Sequence, residues 1–448
     1  LQNVHIIDVR NGQLLSDRAI LVSDGKIQSI LPTKELDPTA FSKVIDAKGG
    51  YVIPGLWDMH AHLRANNLPP ELITDWMMPL FIANGVTGVR EMTSSCERED
   101  QGPVCLDQMR AWQKEIDLGT LDGPRLLSLS SFQLNSPREQ DYTKKEIQQM
   151  VATFDAQEIN LIKVYTDLSP KAYHNVMQEA KKYTIPVGGH IPLRMTISEA
   201  SAKGLRSLEH ARDFLFDCFP GSKAFRKSAR SQDPPIATMH EMVNHFDAEK
   251  CQRIFQVMLK NETWYVPTHL TRRMEAFADK AAFLNDDRNQ YIPKMLLHSW
   301  KNDAERVVAK DTSAYGRAAY MKFYRKGLEI TGKAHKAGVR ILVGTDGGDS
   351  FVHPGFSVHN ELGELVKAGL TPLEALQAAT LHSAEFLHLQ KSFGSITVGK
   401  NADFIVLENN PLVAIENTKT MQAVIYRGDY FTRDQLNALL DKAKNFKL

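Results

Sequence analysis

The sequence predicts an α/β fold: a (β/α)8 TIM barrel with a small β-sandwich domain formed by both chain termini. Three observations predict it. Short apolar strands alternate with longer amphipathic helices through the middle of the 448-residue chain. The first ~50 residues alternate instead like paired strands, and that texture returns near the other end. Metal-ligand side chains stand at the ends of the mid-chain strands, the rim where barrel enzymes carry their chemistry.

The elements follow in order. "VHIIDV", "AILVSDGKIQSIL" and "KVIDAKGGYVI" read as strands, with Asn11-Gly12 and Asp24-Gly25 as hairpin turns between them. Eight barrel strands are then expected, at 56–62, 87–92, 125–130, 161–165, 186–190, 207–210, 264–269 and 340–346. Helical patterns separate them; in "SPKAYHNVMQEAKKY" (169–183), Ser169 suits the N-cap and Pro170 the first helical position. Residues 211–263 and 271–338 are too long for one crossover helix each and read as helical inserts. "GSITVGKNADFIVLE" (394–408) and "QAVIYRGDYF" (422–431) return to strand texture, and "RDQLNALLDKAKNFKL" (433–448) reads as an amphipathic helix. The expected domains are a sheet domain of 1–53 with 394–432, a barrel of 54–393 and a terminal helix of 433–448.

Lys plus Arg number 54 against 53 Asp plus Glu, which leaves no electrostatic footprint for nucleic acid or an anionic membrane. No stretch approaches the ~20 apolar residues of a membrane span. The expected partner is a small-molecule substrate, and the sequence leaves a homo-oligomer open. Of four cysteines, none forms a C-x-x-C pair. Cys96 and Cys105 flank a short polar loop as a local disulfide does, and Cys218 with Cys251 can form a second pair. This even count favours a periplasmic or secreted location over four free thiols in the cytoplasm. The chain opens on Leu1 inside a strand pattern, as after removal of a signal peptide or trimming of the end.

The chemistry begins with "GLWDMHAHL" (55–63). In a strand, residues i and i+2 share a face, so His60 and His62 can reach one metal from one direction. His190 in "PVGGHIP", His210 in "SLEHAR" and Asp346 in "VGTDGG" end other strands and complete the coordination. Such nitrogen and oxygen donors suit Zn²⁺ first, with Mn²⁺, Fe²⁺, Co²⁺ or Ni²⁺ as alternatives. Lys163 in "LIKVYTD" joins them only as a neutral amine, N-carboxylated by CO₂ into a bridge between two divalent ions.

"YVIPGLWDMHAH", "LIKVY", "GGH", "LEH", "GTDGG" and the tail "LTPLEALQAAT" with "GSITVGKNADFIVLENNPL" together resemble the amidohydrolase superfamily over nearly the whole chain. Within it the chain resembles the binuclear branch of prolidase-like and Xaa-Arg/Lys dipeptidases, among the imidazolonepropionase-like amidohydrolases. The resemblance implies that His60 and His62 hold the more buried metal and His190 and His210 the more exposed one. It implies that Lys163 bridges and that Asp346 binds metal and is the catalytic proton shuttle. The implied reaction is attack of a metal-bridging hydroxide on an amide carbonyl of a dipeptide or N-acyl amino acid. A lactone, carbamate or phosphotriester suits the same two metals. A deaminase fits less well, since those relatives generally use one metal and no bridging lysine. A non-catalytic scaffold fits least, because all six ligands are present.

The sequence departs from that branch twice. The loop "SSFQLNSPR" (130–138) has no His, and "GGHIPLR" has Ile191-Pro192 where relatives often carry a Tyr. Tyr165, Gln133 and Asn135 are candidate stand-ins. Arg64, Arg194 and Arg212 follow strands 1, 5 and 6, where a guanidinium fork can take a substrate carboxylate. His269, at the end of strand 7, and His353, after Asp346, are further substrate-contact candidates; His359 reads as an ordered loop residue.

Overall fold

A computed structural model describes residues 1–64, 69–97, 104–135 and 141–446. The chain begins with four strands: β1 (Gln2–Asp8), β2 (Gln13–Ser23), β3 (Lys26–Pro32) and β4 (Asp46–Pro54). Seven short strands follow: β5 (Leu56–Ala61), β6 (Val86–Glu91), β7 (Arg125–Leu129), β8 (Ile162–Val164), β9 (Val187–Gly189), β10 (Ser207–Glu209) and β11 (Trp264–Val266). The chain then returns through β12 (Phe404–Leu407), β13 (Met421–Tyr426) and β14 (Asp429–Thr432).

The terminal strands form one mixed sheet, ordered β14-β13-β12-β4-β1-β2-β3. The expectation was a small β-sandwich formed by both termini; the terminal strands do come together, as one continuous sheet. β4 pairs in parallel with β1 and antiparallel with β12, so a single ladder runs through both ends of the chain. The sheet curls until β3 meets the lead-in to β12: Ile27 N–H donates to the Lys400 carbonyl at 2.9 Å, and Ala402 N–H to that of Gly25 at 2.8 Å. Ile6, Ile20, Val52, Phe404 and Ile425 pack inside the curl.

The mid-chain strands are parallel. β5-β6-β7 form one sheet and β8-β9-β10-β11 another. A bridge between Ser130 and Leu161 joins β7 to β8. The segment expected as an eighth strand, 340–346, has only isolated bridges: Ile341 pairs with Tyr265, and Gly347 with Ala61 of β5. Met59 N–H donates to the Val343 carbonyl and His62 N–H to that of Gly347 (2.8 and 2.9 Å). The order of pairings therefore returns to its start. Every residue of β5 is buried, as parallel strands covered on both faces must be. Gly344 permits a close approach to β5 and β11: a Cβ there would lie 2.8 Å from that of His60 and 2.5 Å from Val266 Cγ1.

Helices flank these strands. Ser169 caps Pro170–Lys182 by accepting from Ala172 N–H at 3.0 Å. The two long connections are helical: the first holds Arg212–Asp217, Ser222–Ser228, Ile236–Asn244 and Ala248–Lys260, and the second includes Lys294–Ala309 and Ala314–Lys336. Helix Ala248–Lys260 buries Cys251, Ile254, Phe255 and Met258, spaced along one face. Burying Phe255 is worth roughly 2–3 kcal/mol, and Phe255→Ala would cost about 3–5 kcal/mol with the cavity included. Cys218 pairs with Cys251 and Cys96 with Cys105; residues 98–103 of that second loop, and 136–138 of "SSFQLNSPR", lie outside the described residues. The terminal helix spans Arg433–Lys444. Among the described residues no helix is long and apolar enough to cross a membrane.

Candidate metal centre

The cluster forms where the parallel strands end. His60 lies in β5 and His62 just beyond it, with the rings 5.3 Å apart. Asp346 approaches from the neighbouring segment: its Oδ1 lies 3.4 Å from His60 Nε2 and 3.2 Å from His62 Nε2, and its Oδ2 lies 3.7 Å from His210 Nδ1. One ligand atom each from His60, His62 and Asp346 falls within 4.8 Å of the others. Lys163 Nζ reaches His60 Nε2 at 3.2 Å. The rings of His190 and His210 stand 4.2 Å apart, and His210 is 4.9 Å from His60. All six expected ligands thus meet at one place.

Two nitrogens test whether these residues fit a cation. His190 Nδ1 and His210 Nε2 are buried and without a hydrogen-bond partner. A buried polar atom left unpaired costs roughly 1–3 kcal/mol, unless a ligand takes its lone pair. The other nitrogen of His210, Nδ1, contacts Thr268 Oγ1 at 2.7 Å, which frees Nε2 for a cation. Four imidazoles, a carboxylate and a buried amine fit divalent ions of the zinc type.

Electrostatics agree. Burial first, then the charge of Lys163, lowers the His60 pKa to about 4, and burial holds His190 and His210 well below the ordinary imidazole value. Burial thus favours the neutral imidazole at all three, the form a metal ligand needs. Burial also lowers Lys163 to about 8, although Glu209 and Asp346 pull the other way. Burial would raise Asp346, but His60, His62 and His210 outweigh it and hold the carboxyl well below the carboxylate range. His210 and Asp346 both sit at positive φ, 70° and 64°. Strained backbone of this kind collects at functional sites.

Sequence reasoning missed the residues that hold the ligands in place. Glu209 Oε2 accepts from His60 Nδ1 at 2.8 Å. Its carboxylate is also gripped by Arg90 Nη2 at 2.8 and 2.9 Å and by Ser207 Oγ at 2.6 Å. Burial would raise Glu209, but Arg90 and His60 bring it to about 2. Asp58 accepts from His60 N–H (3.1 Å), Thr345 N–H (3.0 Å) and Thr345 Oγ1 (2.6 Å), stapling β5 to the Asp346 segment. The available signal was a charged residue inside an otherwise apolar strand: Asp58, Arg90 and Glu209 each break such a run.

The other candidates scatter. Arg212 is buried, with Nη2 3.5 Å from His190 Nε2, and Tyr165 lies over the His190 ring at 4.2 Å. Gln133 Nε2 donates to Thr93 Oγ1, which contacts His62 Nδ1 at 3.3 Å. Asn135 pairs with Asp167, and Arg64 Nη1 points to the Ser95 carbonyl at 3.5 Å. Arg194 is exposed. His353 contacts Asn289 Oδ1 through Nε2, and His359 contacts Thr418 and the Asn84 carbonyl. His269 is fully buried with neither ring nitrogen partnered, and it makes no hydrogen bond to the cluster.

Comparison with known proteins gives a consistent picture. The sequence profile of the amidohydrolase family matches residues 51–430. An imidazolonepropionase of Chromobacterium violaceum is 24% identical over 404 residues, covering 88% of this chain and 85% of that one. An adenine deaminase of Desulforamulus reducens is 29% identical over 164 residues, 29% of this chain and only 27% of the deaminase. A bottromycin amidohydrolase shares the fold with a TM-score of 0.71 at 20% identity, covering 99% of this chain and 90% of that one. A Xaa-Pro dipeptidase with bound methionine does so at 0.65 and 20%, covering 96% and 99%.

Proposed function

We propose that this chain, which belongs to the amidohydrolase family, hydrolyses the amide C–N bond of a dipeptide or N-acyl amino acid at this cluster. One observation carries the reading: six ligand-type side chains from five segments, His60 and His62 sharing one, meet with two buried imidazole nitrogens left unpartnered among the described residues. The returning order of strand pairings supports a closed (β/α)8 barrel for 54–393, with 1–53 and 394–432 as a separate sheet domain. The two cysteine pairs suit an oxidising compartment, periplasmic or extracellular.

His60 and His62 would hold one divalent ion, His190 and His210 a second, with Lys163 as a carboxylated bridge and Asp346 as a further ligand. Zn²⁺ is the first choice; bound there, such ions supply Lewis acidity toward a carbonyl and lower the pKa of water. Asp346, at the junction of His60, His62 and His210, takes the proton of the attacking water and gives it to the leaving nitrogen. Glu209 keeps the proton of His60 on Nδ1, so that Nε2 offers its lone pair. Arg90 keeps Glu209 ionised.

The test is a panel of dipeptides and N-acyl amino acids with Zn²⁺-loaded protein, scored by amino-acid release, with Asp346→Asn as control. Release by wild type and its loss in the variant is the expected result. Turnover of lactones or phosphotriesters alone overturns the amide reading, and equal activity of the variant overturns the proton shuttle.

A further inference from the structure

We infer that Arg212 is the substrate anchor, holding a carboxylate next to the scissile bond, so that the substrates are amides with a free α-carboxylate on the leaving amino acid. This rests on the amide reading above and assigns the residue that recognises the carboxylate such substrates carry. Arg212 begins the helix Arg212–Asp217, two residues past His210, and is only 5% exposed. Among the described residues no carboxylate pairs with it. The acids whose fields reach it are Asp213, Glu275 and Asp233. Each is held by another cation: Asp213 by Arg226 at 3.0 Å, Glu275 by Arg272 at 2.7 Å and Asp233 by Lys310 at 3.0 Å. Arg226 is also held by Asp217 at 2.8 Å. Among the described residues the guanidinium therefore has no carboxylate of its own, although Asp213 and Glu275 lie close enough to favour its charge.

The contact with His190 points to what arrives. His190 Nδ1 is the unpartnered nitrogen, so a lone pair offered there leaves the ring proton on Nε2. Arg212 Nη2 stands 3.5 Å from that Nε2. Two donors then face each other, and an anionic oxygen between them satisfies both. A guanidinium touching a ring of the cluster holds its anion within about one residue step, ~3.8 Å between successive Cα atoms. That is the reach of the carboxylate attached to the residue whose nitrogen is cut. Of the three arginines that follow strands 1, 5 and 6, Arg194 is exposed and Arg64 turns toward Ser95. Arg212 contacts a ring of the cluster.

The experiment compares the N-acetyl derivatives of the standard amino acids, and dipeptides, with their C-terminal amides. Wild type should favour the acids in kcat/KM by about a hundredfold. Arg212→Gln should collapse that ratio to near one, and Arg212→Lys should restore part of it. The Arg212→Gln protein should keep the wild-type Tm, since no direct ion pair is lost; a merely structural arginine would lower it. Binding is read separately, as the thermal shift of wild type and Arg212→Gln with each acid and amide. Acid-dependent shifts without hydrolysis keep the anchor and sink the amide reading. Hydrolysis with equal rates on acids and amides, or an Arg212→Gln protein with an unchanged ratio or a lowered Tm, overturns the anchor.

Discussion

Glu209→Gln should separate the support of the centre from its ligands. The Glu209 carboxylate takes hydrogen bonds from His60, from Arg90 twice and from Ser207, between 2.6 and 2.9 Å. It is held at about 2, against 4.5 for an ordinary glutamate. That difference is worth about 3 kcal/mol of folding free energy at neutral pH. Because the folded value is depressed, the contribution is present above pH 4.5 and is lost as pH falls from there through 2; about 2 kcal/mol of it is gone by pH 3. The amide cannot carry this charge, and its NH₂ faces Arg90 donor to donor. The chelated variant should therefore unfold with about 3–5 kcal/mol less free energy than chelated wild type at pH 7. Urea titrations followed by circular dichroism at pH 7, 5, 4 and 3 measure both the gap and its narrowing. With the His60 tautomer no longer enforced, divalent-ion affinity should drop about 10- to 100-fold. A gap below 1 kcal/mol at pH 7, or one that stays constant down to pH 3, would refute the argument.

Four further outcomes are expected. With its amine at about 8, Lys163 is roughly a tenth neutral at pH 7 and half neutral at pH 8; a ¹³C carbamate signal from labelled bicarbonate should grow across that range and be absent in Lys163→Met. The same variant should bind fewer equivalents of Zn²⁺ than wild type by plasma emission; equal stoichiometry would remove Lys163 from the ligand set. Asp346→Asn should lower kcat by at least about 10²-fold with the fold intact, the scale of general acid–base catalysis. Opening the Cys218–Cys251 bridge, which closes a separation of 33 residues, should cost about 4 kcal/mol by loop entropy; unchanged unfolding of a double Ala variant would show that the helical insert holds itself.

The candidate ligand positions were legible because each lies in or just after a segment that reads as a strand. "HAH" announces its purpose by a period of two, and Asp346 stands in a Gly-flanked turn after an apolar run. Strand bounds agree within a few residues, except at 340–346, where bridging is sparse because the chain bends at Asp346 into positive φ. The supporting shell was not legible. Glu209 and Arg90 lie more than a hundred residues apart, and their pairing exists only once β6 and β10 face a common interior. The pairing order of the terminal sheet was hidden for a similar reason: hydrophobic alternation shows that strands are half-buried, but not that β4 pairs on both sides. The lone guanidinium of Arg212 could not be read either, because being unpaired is a property of its surroundings.

β4 has a consequence for synthesis. Its partner β12 lies roughly 350 residues downstream. At about 5–20 residues per second, a ribosome leaves that strand edge bare for something like 20–70 s. During that interval the nascent chain offers a ready template to any extended peptide. A co-translational chaperone that occupies β4 would therefore raise the yield of folded protein.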